Sequence, residues 1–191
     1  MKGEKMKKIM TFFMVMAMIG ILAGCSGKET AKADIASSEE LLNKVSDAFP
    51  DDAKFPAIGG DAEHMKDNAA GNVSLEEKDA LMYVLYVPED SLELIDDAAS
   101  LMHMMNSNTF TGAAFHLKDA DSSGKFVENL KENIMNTQWM CGFPDELSIF
   151  TVNGEYVVSA FGKTENMENF KAKVQEVYGD SAVLEVEANL S

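Results

Sequence analysis

Apolar positions recur along this chain with periods near 3.6 and near 2, and the switches between them mark out its elements. Ser37-Ser38-Glu39-Glu40 has the form of a capping box, with Ser37 as cap and Glu40 reaching back. Leu41, Leu42, Val45, Ala48 and Phe49 follow at helical spacing until Pro50 ends the run. Residues 50–79 are broken by Pro50, Pro56, Gly59, Gly60 and Gly71, with room for a short helix over 62–70. The stretch ALMYVLYV at 80–87 is continuously apolar and rich in β-branched and aromatic residues. It predicts a buried strand closed by Pro88. Leu94, Ile95, Ala98, Leu101, Met102 and Met105 then share one helical face, with Glu93, Asp96 and Asp97 off it.

From Phe110 onward the pattern is regular. Residues 110–117 read as a strand and 123–135 as a helix with Phe126, Val127, Leu130 and Ile134 inward. Two strands, 147–152 and 156–161, flank Asn153-Gly154, a pair suited to the positive φ angles of a type I′ turn. Thr164 caps a helix carrying Met167, Phe170, Val174, Val177 and Tyr178, which Gly179 ends. A last, weaker strand covers 183–186. The order βαββαβ predicts an α+β fold with a ferredoxin-like C-terminal half: an antiparallel sheet with helices packed on one face. The earlier strand and helices extend or cover that sheet.

The N-terminus has a different character. Lys2, Lys5, Lys7 and Lys8 precede an almost wholly apolar run over 9–23. That run is shorter than the about 20 residues a spanning helix needs. A basic head, a short apolar stretch and small residues before a break make an export signal. Its end, Leu22-Ala23-Gly24-Cys25, resembles the lipobox of bacterial lipoproteins in position, spacing and cysteine. The resemblance implies cleavage after Gly24 and a diacylglycerol thioether on Cys25, the lipid attachment residue. Two or more acyl chains hold a protein stably on a bilayer, where one binds marginally. The expected organisation is therefore a signal peptide at 1–24, a small polar tether at 25–34 and one α+β domain at 35–191. The expected place is the extracytoplasmic face of the cell membrane. In layout the mature chain is similar to small lipoproteins of Gram-positive bacteria built on a domain of unknown function, and no site residues come with that likeness.

Charge narrows the partners. Across 191 residues there are 32 acidic and 16 basic side chains, a formal net charge of −16, and every basic residue is lysine. An acidic surface without guanidinium forks suits neither nucleic acid nor anionic headgroups. Partnership with the membrane is expected only through the lipid, and the remaining partner is an unknown protein or small molecule.

Candidate chemistry is sparse. Asp119-Ala-Asp121-Ser-Ser123-Gly124 resembles the front of a calcium loop, but the twelfth position, where a bidentate glutamate belongs, is Leu130. The plainer expectation is a strand-to-helix turn capped by Asp121 or Ser122. Met102-His103-Met104-Met105 offers soft donors for Cu(I) or haem, against an apolar helix face in which Met102 and Met105 fill core gaps. His64 and His116 have no second ligand nearby in sequence. With Cys25 taken by lipid, Cys141 is expected to be a small buried hydrophobe, its neighbours Trp139, Met140 and Phe143 being apolar. The loop Trp139-Met140-Cys141-Gly142-Phe143-Pro144 is expected to fold its aromatics over the sheet end, with an exposed binding patch as the competing reading. No Gly-x-Ser-x-Gly elbow or phosphate-binding glycine loop occurs. No catalytic residue, metal ligand or cofactor is assigned. The function expected is a lipid-anchored binding or accessory module, non-enzymatic. Its alternative is a metal-handling protein or enzyme whose site forms only in three dimensions.

Overall fold

The structure, a computed structural model, describes residues 32–191. The signal, Cys25 and the first part of the tether lie outside the described residues. Among the described residues no helix is long and apolar enough to cross a membrane. Helix α1 spans Ser38–Asp47, and three short strands follow: β1 (Ala57–Gly59), β2 (Lys66–Asp67) and β3 (Gly71–Asn72). Strands β4 (Ile95–His103) and β5 (Phe110–Leu117), helix α2 (Ser123–Met135), strands β6 (Glu146–Val152) and β7 (Tyr156–Gly162), helix α3 (Thr164–Tyr178) and strand β8 (Ala182–Asn189) complete the domain. All pairings are antiparallel, in the order β2-β1-β4-β5-β7-β6-β8, with β3 also paired to β4.

The α+β class, the antiparallel sheet and the βαββαβ order from β5 to β8 match the sequence expectation. The placing of the helices does not. Strand β8 lies beside β6 rather than beside β5, because β4 already occupies the other edge of β5. The crossover from β5 to β6 and the crossover from β7 to β8 therefore step the same way across the sheet, while β5 and β7 run oppositely. Right-handed crossovers with that geometry must lie on opposite faces. Accordingly α3 and α1 cover one face, burying Leu41, Val45, Phe110, Phe150, Phe170 and Val174. Helix α2 covers the other with Phe115, Phe126, Leu130, Ile134, Ile149 and Val157. The sheet is buried on both sides, so the expectation of helices on one face is corrected to helices on both.

Two further elements differ from the pattern reading. The helix expected around 94–105 is the strand β4. Ala98, Ala99, Ser100 and Leu101 are all buried, as they must be in a strand covered on both faces, and such a run has no period of 2 to betray it. The strand expected at 80–87 is instead a π-helical turn, Ala80–Val84, that buries Leu81, Leu85 and Val87 and leaves Tyr83 68% exposed. Residues 62–70 form turns and β2 rather than a helix.

The first described residues are held on the domain. The Ala33 N–H donates to Asn153 Oδ1 and Asn153 Nδ2 donates to the Ala33 carbonyl, both at 2.9 Å. Lys32 pairs with Glu155 at 3.1 Å. Part of the expected tether is thus pinned to the β6–β7 turn.

Candidate binding site

Strands β1 and β3 pair end to end along one edge of β4, and glycine makes their close junction possible. A β-carbon on Gly59 would lie 2.4 Å from the Ala69 carbonyl oxygen and the Gly71 nitrogen. Ser100 on β4 locks the junction, accepting the Gly60 N–H at 2.9 Å and donating to the Gly60 carbonyl at 3.2 Å. Beyond this junction the sheet edge opens into a concavity of about 240 Å³. Its walls are Ile58, Met65, Val73, Val84, Leu85 and Met102, with Asp61 and Ser100 as the polar groups. Ile58 and Met102 are direct cross-strand partners, while Val84 and Leu85 come from the π-helical turn and its end.

Asp61 organises the rim. Its side chain is 1% exposed. Oδ1 accepts the N–H groups of Glu63 and His64, both at 2.9 Å, and meets His64 Nδ1 at 2.8 Å. Oδ2 accepts the Ser74 N–H at 2.7 Å. Burial pushes the carboxyl upward, but the donors from Ser74, His64 and Glu63 together outweigh it and hold Asp61 below the usual carboxylate range. The carboxylate is thus used to tie residues 61–64 to residue 74, and it orients the half-exposed ring of His64. Sequence spacing isolates His64 because its orienting partner is an acid three residues back, one of many in an acidic chain.

The other singled-out residues lie apart. Met102-His103-Met104-Met105 ends β4, so its side chains alternate and diverge. Met102 faces the concavity, while His103 stacks on Phe55 on the opposite face, ring centroids 4.8 Å apart. Burial lowers the His103 pKa from its ordinary value. Its Nδ1 accepts the Met105 N–H at 2.9 Å. Met105 is exposed, which corrects its expected place in the core. His116 Nδ1 meets Asp96 at 2.5 Å beside the Tyr156 ring, at the far end of β5. Each histidine has its own partner and none shares one with another. Among the described residues no three His, Cys, Asp or Glu side chains are grouped to hold a metal ion.

Residues 119–124 form the strand-to-helix turn. Asp119, rather than Asp121 or Ser122, supplies the cap, accepting the Asp121 N–H at 3.0 Å. Leu130 is fully buried in α2, so nothing at that position reaches the turn. Of the two aromatics in the 139–144 loop, Trp139 folds inward, against Tyr86 and Phe161 at 5.3 and 5.2 Å, and Pro144 is buried as well. Met140 and Phe143 stand in solvent. Cys141 is exposed as well, a correction: the chain has already left the core at Met140, and the left-handed Gly142 (φ 79) lies in the turn that leads back to the buried Pro144. Neither a family model, a curated protein nor a solved structure matches this chain.

Proposed function

We propose that the chain is a lipid-anchored binding module on the extracytoplasmic face of the cell membrane, with the concavity beside β1 and β4 as its ligand site. The anchor reading rests on Leu22-Ala23-Gly24-Cys25 after a basic head and an apolar run. The binding reading is carried by one observation: an apolar hollow whose rim is held in place by a fully bonded buried carboxylate. Ligand sites characteristically combine apolar walls with a few fixed polar groups. At about 240 Å³ the hollow is smaller than a drug-sized pocket. It suits a small apolar molecule or one apolar side chain of a partner. The net charge of −16 makes anionic ligands unfavourable.

The test uses the full chain and the neutral dye N-phenyl-1-naphthylamine. Binding raises its fluorescence, and Val84→Asp, which places a charge at the rim without disturbing the core, abolishes the rise. Equal enhancement in the variant removes the concavity as the site. Separately, intact-mass analysis from native cells carries a diacylglycerol increment on a chain starting at Cys25, and Cys25→Ser releases the protein from membranes.

A further inference from the structure

The two ends of the sheet are chemically unlike. At one end lie the β6–β7 turn, the start of β4 and the end of β5, since His116 pairs with Tyr156 and Leu117 with Ile95. This is where Ala33 is pinned to Asn153. At the other end Phe110 pairs with Gly162, and Glu146 with both Gly162 and Asn189. Two loops meet there. The β4–β5 turn carries Met104 and Met105, 57% and 53% exposed. The loop between α2 and β6 carries Met140 and Phe143, 92% and 61% exposed. They adjoin at Thr109 and Gly142, where a β-carbon on the glycine would lie 2.6 Å from Thr109 Oγ1. Lys163 fastens both, its N–H donating to the Thr109 carbonyl at 2.7 Å and its Nζ to the Phe143 carbonyl at 2.6 Å. Four large apolar side chains therefore stand in water on a braced support, the arrangement of an interaction surface rather than of scattered exposed residues.

We propose that this tip docks a protein whose contact surface is apolar at its centre and rimmed by lysine or arginine. The rim of the tip is acidic. Asp51 and Asp52 sit on the turn leading to Pro56, whose carbonyl accepts the Met104 N–H at 2.9 Å. Glu165 lies in the first turn of α3 beside Asn166, which donates to the Asn108 carbonyl at 3.0 Å. The nearby cations are already engaged: Lys54 with Asp51 and Lys163 with Asp145. A second copy would bring like charge against like charge, and so would an anionic bilayer; a basic rim is complementary.

The tether geometry, which rests on the lipid-anchor reading, agrees. Cys25 and Lys32 are separated by at most roughly 25 Å of extended chain, and that chain enters the domain at the β6–β7 turn. The tip lies about one strand length, roughly 25 Å, beyond it. An anchor on that chain is therefore attached at the end of the sheet opposite the tip.

The test places a p-benzoylphenylalanine photocrosslinker at Met140 of the full chain on its native cells, with a second at Gly154 as a control for orientation. Crosslinks at 140 to another protein are expected, with the attached peptide carrying Lys or Arg beside apolar residues. Phe143→Asp is expected to cut their yield about tenfold, the loss of one central anchor. No adduct, an adduct with lipid, an adduct with a second copy, or an adduct undiminished by Phe143→Asp would falsify the proposal. Crosslinking of Gly154 to lipid, together with the mass of the Cys25 terminus, reports on the anchor independently. Failure of the anchor and failure of the tip therefore read out separately.

Discussion

Asn153 and Ala33 hold each other by a reciprocal pair of hydrogen bonds, each 2.9 Å, across 120 residues of sequence. The same asparagine sits at φ 57 and Gly154 at φ 75, so one side chain serves both the hairpin turn and the entry of the chain. The two roles separate by mutation. Asn153→Gly keeps the left-handed turn and loses the side-chain bonds; Asn153→Ala loses both. Hydrogen exchange at Ala33 is expected to speed in both variants. Global stability is expected to fall by about 1 kcal/mol in the glycine variant and further in the alanine variant. Unchanged exchange at Ala33 in Asn153→Gly contradicts the pin.

Asp61 links stability to pH. Its folded-state pKa is lowered by the donors from Ser74, His64 and Glu63 despite the opposing effect of burial. A group depressed on folding contributes stability that is present above its unfolded value, near 3.9 for aspartate, and lost as pH falls through its folded value. Acid should therefore loosen residues 61–74 and the rim of the concavity below about pH 4. Asp61→Asn, which keeps the shape but not the charge, is expected to cost on the order of 2 kcal/mol at neutral pH. Its urea-unfolding curve should also depend less on pH between about 2 and 5 than the parent's. Parallel pH profiles for the two proteins would remove Asp61 as the cause.

Glycines at different places should respond oppositely to a methyl group. At Gly59 the added carbon meets backbone on both sides, 2.4 Å from Gly71 N and 2.5 Å from the Ser100 carbonyl oxygen. Gly59→Ala must pry β1 from β3 and β4, a cost of about 3 kcal/mol or more. Gly124, in the first turn of α2, has no heavy atom within 4 Å of such a carbon. Gly124→Ala should stabilise by up to about 1 kcal/mol through the unfolded chain. Urea titrations of the two variants decide it, and a destabilised Gly124→Ala counts against the reading of that turn as open.

Helix α1 and the C-terminal half were legible because their signals are local. Ser37 accepts the Glu40 N–H at 3.1 Å and Glu40 accepts the Ala36 N–H at 2.8 Å, much as the capping pattern implied. The 153–154 turn, α2 and α3 are likewise where their patterns put them, except that Thr164 is the first residue of α3 and not its cap, a position taken by Lys163. The most consequential misreading, at β4, came where burial on two faces erased the period. Ile95, Ala98, Leu101 and Met102 fit a helix by spacing and a doubly covered strand by neighbourhood, and only the pairing with β5 distinguishes them. That one strand then decides the position of β8 and the faces of both crossover helices. The concavity was invisible for a related reason. Its walls come from residues 58 to 102 through four separate elements, and its rim acid looks in sequence like any other of the 32. Cys141 follows Met140 out of the core although its sequence neighbours are apolar, because apolar composition alone does not say which side of a loop faces the sheet.

Strand β8 is the long open edge of the sheet, paired only to β6, and it presents Val183 and Leu184 to solvent. Such an edge invites pairing with another chain. Two features oppose it. The register passes from Ile149 opposite Val186 to Phe150 opposite Leu184, so Glu185 is an extra residue that bulges the strand. Its Oε1 accepts the Thr151 hydroxyl at 2.8 Å. Glu187 adds a second charge on the same strand, bridged by Lys171 at 2.7 Å. Like charges facing each other across a two-fold axis disfavour edge-to-edge dimers. Replacing both by Glu185→Val and Glu187→Val removes the charges and leaves a strand of high β-propensity. That double variant should elute at a concentration-dependent, larger size in size-exclusion chromatography with light scattering, under conditions where the parent's size is constant. If the double variant matches the parent at every concentration, the bulge alone guards the edge and the two glutamates have no part in it.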